Sequence, residues 1–211
     1  MSSLTSQYRA TLSGAVSGDS APFREGADWA AWTGTPGAAD YGTVALWWKD
    51  APPVAGERTA TLGNFSAPHE TLGDRLLAAA LQVAQVEYIS RVFGPMNGST
   101  WRTYRLTTEV GSEPPFLLDL TTPAFWPKLF RRHGFTVNAT YTSALEEPIS
   151  SDQDPRLPGL RERWRDRGVV IESPPLDELP QTLRAIHRVS LAAFTRNHLY
   201  TPLGEKDFLA R

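Results

Sequence analysis

The chain has 211 residues, 21 Lys and Arg against 23 Asp and Glu, and a formal net charge of −2. That length buries a sizeable core, and the lack of cysteine excludes disulfides, thiolate metal sites and a cysteine nucleophile. Scattered histidines give no metal-ligand spacing, the charge gives no electrostatic footprint for nucleic acid, and no apolar run reaches span length, so the expectation is a cytoplasmic protein with no metal, nucleic acid or membrane partner.

Residues 1 to about 40 are rich in Ser, Gly, Ala and Thr with weak periodicity, and about 1–20 are expected to be disordered. Phe23, Trp29 and Trp32 are the first anchors, and the last two are spaced for one helical face. Thr43 to Lys49 is β-branched and aromatic, Ala51 to Gly56 is turn material, and Arg58 to Phe65 alternates; together they predict a hairpin. Thr71 stands at capping-box spacing from Asp74, and Leu72, Leu76, Ala80, Val83 and Ala84 share one face of a helix ending near Tyr88.

Ile89 to Phe93 reads as a buried strand that empties into Gly94-Pro95-Met96-Asn97-Gly98-Ser99-Thr100-Trp101. Ligands of open α/β sheets collect outside the carboxyl ends of strands. Gly94 and Gly98 permit close approach of another molecule. Asn97, Ser99 and Thr100 bring hydrogen-bonding groups, Trp101 a flat apolar surface, and Arg102 a cation for a phosphate or carboxylate. These five are the candidate substrate-binding residues; the alternative is a plain strand-to-loop turn beside a core tryptophan.

Thr103 to Thr108 is a strand or the far wall of a cleft, and Phe116 to Leu120 reads as another buried strand after Pro114-Pro115. Pro123 suits the first turn of a helix over Ala124 to Arg132, and Thr136 to Leu145 alternates as a closing strand. Glu146 to Pro158 has linker composition. Beyond it come a charged helix over Leu160 to Arg167 closed by Gly168, a strand-like Val169-Val170-Ile171, and a helix capped by Asp177. Leu183, Ile186, Ser190, Ala193 and Phe194 line one face of that last helix, which Asn197 and Pro202 stop. Such a face predicts packing on the first domain's sheet or on a second chain in a two-fold homodimer.

Five segments stand in a specific order and spacing: Leu62-Gly63-Asn64-Phe65, the helix with Leu76-Leu77-Ala78-Ala79-Ala80, Gly94 to Ser99, Pro114 to Leu118, and Pro123 to Pro127 through Phe130 to Phe135. Together they resemble a branch of the GNAT acyltransferase superfamily, one often built as two GNAT-like halves in tandem. The resemblance implies an α/β fold whose mixed central sheet is splayed, with acetyl-CoA or another acyl-CoA in the opening and a helical C-terminal appendage. It divides the chain into a GNAT-like domain over 1–147, a linker over 148–158 and an appendage over 159–211. Ala193-Phe194 and Tyr200-Thr201-Pro202 resemble the opening of a second GNAT-like unit cut short.

GNAT enzymes set the cofactor pyrophosphate against a helix N-terminus, whose free N–H groups and partial positive charge suit it. The resemblance places cofactor contacts at Asn64, Phe65, Thr71, Gly73 and Asp74. Of the family's Gln/Arg-x-x-Gly-x-Gly/Ala loop, which falls on Pro68, Thr71 and Gly73, only Gly73 matches. Arg58 to Phe65 lacks the family's basic glutamate, with Glu57 and Glu70 only flanking it; Phe130 stands where many members carry an acidic tyrosine, with His133 nearby. No catalytic residue is assigned. Two functions follow: an acyl-CoA-dependent N-acyltransferase acting on a small-molecule or peptide amine, or a non-catalytic ligand-binding or assembly module.

Overall fold

β-branched and aromatic residues in the first half of the chain pair into one sheet because they cover it on both faces. The computed structural model describes residues 26–117, 119–145 and 156–210. Phe23, the 1–20 segment, Leu118 and most of the Glu146 to Pro158 linker lie outside them. The sheet holds β1 (Trp29–Thr33), β2 (Gly42–Trp47), β3 (Thr59–Ser66) and β4 (Arg91–Phe93), in that spatial order. The first two pairings are antiparallel and β3–β4 is parallel. The fold is mixed α/β, and β2 and β3 form the expected hairpin.

Trp29 and Trp32 do not share a helical face. They sit in β1, where Trp29 pairs with Leu46 and Trp32 with Thr43. Three residues apart on a strand means opposite faces, and cross-strand packing has overridden the local spacing. Trp29, Val44, Leu46, Leu62 and Phe65 form one buried cluster, while Ala30, Ala45 and Trp47 form another on the reverse face.

Between β3 and β4 runs α1 (Glu70–Val86), the crossover that a parallel pair requires. Its buried stripe is Leu72, Gly73, Leu76, Leu77, Ala79, Ala80, Val83 and Ala84. The N-cap is His69, whose side chain accepts from the Leu72 N–H at 3.3 Å, rather than a Thr71–Asp74 box; Thr71 is exposed inside the first turn. A helix α2 (Trp126–Arg132) packs on α1, with Leu129 and Phe130 buried and Phe65 meeting Trp126 and Phe130 edge-on. It begins later than Pro123, and Pro127 is the proline in its first turn.

Three expected strands are absent from the ladders among the described residues. Phe116 and Leu117 are exposed, Leu117 by 93 %, and Asp119 closes a turn back to Phe116 O. Residues 136–145 and 169–171 run outside any ladder with Val137, Leu145, Val170 and Ile171 exposed. Thr103 to Thr108 contributes a single bridge, Tyr104 to Met96. Alternation favours a strand, but a strand exists only where a partner edge meets it.

The described residues group into two compact units. One runs through Thr136 and includes Leu191–Gly204; the other is Val137–Ser190 with the residues from Glu205 onward. The second carries α3 (Leu157–Asp166), a 3-10 turn (Leu176–Glu178) that holds Asp177, most of α4 (Leu179–Ala193), and α5 (Glu205–Leu209). The buried residue of α4 is His187, set against Phe208, whereas Ile186 and Phe194 of the expected apolar face are exposed.

Candidate functional site

A parallel β3–α1–β4 unit brings three pieces to one end of the sheet: the end of β3, the start of α1 and the loop after β4. That is the carboxyl edge, where open sheets receive ligands. The ladder between β3 and β4 lasts three residues, ending at Thr61↔Phe93. Beyond it the loop turns through a cis Gly94–Pro95 bond.

The space beyond that last pair is bridged. The Met96 N–H donates to Leu62 O at 2.7 Å, and the Asn64 N–H donates to Asn97 Oδ1 at 2.6 Å. Asn97 is anchored in turn by its own N–H to Thr103 O at 2.9 Å. Asn64 is the extra residue of a β-bulge, with φ of 44° and its carbonyl accepting from Thr43 Oγ1. A bulge leaves backbone groups outside the ladder, and here a side chain from the loop takes up the N–H.

Gly63 explains how the loop comes so near. A Cβ there would collide with Asn97 Oδ1 and with the Met96 carbonyl. Gly98, with φ of 80°, lies over the Trp47 indole. Thr61 Oγ1 and Asn64 Nδ2 are buried on this strand without a hydrogen-bond partner among the described residues.

Asn97, Ser99, Thr100, Trp101 and Arg102 are all half-buried. The Asn97 side chain holds a distant strand, while its backbone N–H closes the loop locally on Thr103 O. Trp101 faces elsewhere: its Nε1–H donates to Thr201 O at 2.8 Å, and its ring meets Phe194 and Tyr200. The segment Leu191–Gly204 therefore covers this tryptophan, and Thr201 is 9 % exposed. The Arg102 N–H turns back to Ser99 O. The loop's polar half and its aromatic half thus serve different neighbours.

At the start of α1 the candidate cofactor residues take structural partners. Gly73 is buried, its N–H already donating to His69 O at 3.1 Å, and a Cβ there would strike Leu129. Phe65 is 7 % exposed and packed on α2. Asp74 Oδ2 accepts from Arg132 at 2.7 Å and its Oδ1 from His133 Nε2 at 2.9 Å, while Arg132 also reaches Glu70 at 2.7 Å. Those hydrogen bonds and charges, from Glu70 first, raise the Arg132 pKa above its ordinary value. Glu70 in the first turn meets the positive end of the helix dipole from within, and Asp74 follows one turn on.

The cap and the ion pairs at this helix start were not legible in the sequence. His69 was hidden because histidine is a rare cap. The Glu70–Arg132 and Asp74–His133 pairs span about sixty positions, although two acids four apart at the start of the helix were a visible sign. Among the described residues no group of three His, Asp or Glu converges on a metal-sized point, and no helix is long and apolar enough to cross a membrane. Comparison with protein-family models, curated proteins and solved structures finds no match.

Proposed function

We propose that this chain is a GNAT-like domain in which the place of the acyl-CoA is taken by the protein's own groups, leaving a non-catalytic binding or assembly module. The observation that carries this reading is the Asn64 N–H held by Asn97 Oδ1. A free backbone donor at a strand bulge can stabilise a thioester oxyanion; a donor already engaged by a side chain is lost to that task. The α1 N-terminus supports the same reading. A pyrophosphate approaching it would compete with Glu70 and Asp74, which already hold Arg132. Phe130, buried on α2, has no proton to give a departing thiolate.

A second reading, retained acyl-CoA-dependent N-acyltransfer to a small amine, draws on different atoms. Thr61 Oγ1 and Asn64 Nδ2 are buried and unpaired among the described residues, and orphaned polar atoms are uncommon unless something visits them. An amine attacking the thioester carbonyl would then need only alignment and a donor for the developing oxyanion. A thiol-release assay separates the two. With acetyl-CoA and a panel of spermidine, glucosamine and a lysyl peptide, release by the purified protein is expected to match the enzyme-free rate. Amine-dependent release proportional to protein concentration would establish the second reading instead.

A further inference from the structure

Helix α3 buries none of its residues. Leu157, Leu160 and Trp164 recur at a spacing that makes one narrow stripe, with Trp164 47 % exposed. Arg161 and Arg165 flank that stripe on one side, and Arg163 with the bounding Arg156 and Arg167 on the other. Glu162 and Asp166 fall opposite. Arg163 Nε donates to Gly159 O within the helix, and Arg161, Arg163, Arg165 and Arg167 form no ion pair with a carboxylate among the described residues. After Gly168 the chain continues through Val169, Val170 and Ile171, all exposed.

We infer that α3 with Val169–Ile171 is a docking surface for an anionic lipid bilayer. Leucine and tryptophan on one stripe, bordered by arginines and backed by acids, suit a helix lying in the headgroup plane. The arginine forks pair with lipid phosphates while the indole and leucines sink to the acyl boundary. Charge decides the sign of the lipid: four cations without carboxylate partners among the described residues ask for an anionic surface. Nucleic acid is less well matched, since phosphate contacts along a duplex make no use of an apolar stripe. This is adsorption without spanning, so the missing membrane span that led to the expectation of no membrane partner does not bear on it. One short stripe makes the association reversible.

The test is co-sedimentation of the full chain with sucrose-loaded vesicles of phosphatidylcholine alone or mixed equally with phosphatidylglycerol. Partitioning onto the mixed vesicles is expected to exceed that onto phosphatidylcholine at least fivefold at low salt, and to collapse at 0.5 M salt. An Arg161→Glu/Arg165→Glu double variant is expected to lose at least tenfold, and Trp164→Ser several-fold. All three positions are exposed, so unchanged thermal melts by circular dichroism confirm that the variants fold. No sedimentation with either vesicle, equal binding to both, or indifference to the charge reversal would overturn the proposal. So would capture of a labelled oligonucleotide, with the same sensitivity to charge reversal, by a protein that ignores the vesicles.

Discussion

Asn97 connects the loop after β4 to the bulge of β3 with one carboxamide oxygen. The bond is short at 2.6 Å, half-buried, and spans 33 positions of sequence. Asn97→Ala leaves the Asn64 N–H with no acceptor where water has poor access, which costs about 1–3 kcal/mol. The urea midpoint is expected to fall by the corresponding amount, with the slope of the transition unchanged. A variant as stable as wild type would mean that the bond is replaced by solvent. The loop was legible as a special feature because glycines, a proline and small polar residues follow an apolar run. Its partner was not, because nothing local marks Asn64 as the residue with positive φ and an unspent N–H. Trp101 shows the same division. Its size was evident, but its neighbours Phe194, Tyr200 and Thr201 lie about a hundred positions away.

At the scale of elements, periodicity found what periodicity alone determines. The α1 stripe and the β2–β3 hairpin follow from apolar spacing and a turn. Segments whose state depends on a distant edge were misread: Trp29–Thr33 gained a partner in β2, while 136–145 and 169–171 found none in a ladder. The β1–β2 pair also has a clamp that its spacing does not announce. Asp28, 6 % exposed, accepts from the Trp48 and Lys49 N–H groups at 2.7 and 3.0 Å and from Lys49 Nζ at 2.8 Å. Burial alone would raise its pKa, but the hydrogen bonds from Lys49 and the backbone together hold it below the usual carboxylate value. A depressed folded pKa gives stability that is present above the unfolded value near ~4 and is lost as pH falls through the folded one. Asp28→Asn is therefore expected to cost roughly 1–2 kcal/mol at pH 7. The gap to wild type should close as the medium is acidified below about pH 4. Denaturant titrations at pH 7, 4 and 3 check this; a gap that widens on acidification would contradict the sign.

For the whole molecule, the two compact units have different characters. The first, with the sheet, α1 and α2, holds the hydrophobic clusters, and its carboxyl edge is closed by internal bonds from Asn97, Glu70 and Asp74. The second presents exposed helices and apolar side chains, Ile171 and Leu176 among them. A carboxyl edge that is internally satisfied is what the proposed binding or assembly role rests on. The mixed α/β class was readable from sequence, in the β2–β3 hairpin and the α1 stripe. The internal bonds at the carboxyl edge were not, because they join residues about thirty and sixty positions apart.

Isothermal titration of acetyl-CoA into the wild-type protein tests that closure most directly. An Asn64 N–H already engaged and a helix start lined by Glu70 and Asp74 predict binding no tighter than about 100 μM, or roughly −5.5 kcal/mol. A dissociation constant in the low micromolar range would contradict the account, since it would require the loop and the α1 N-terminus to yield to the cofactor.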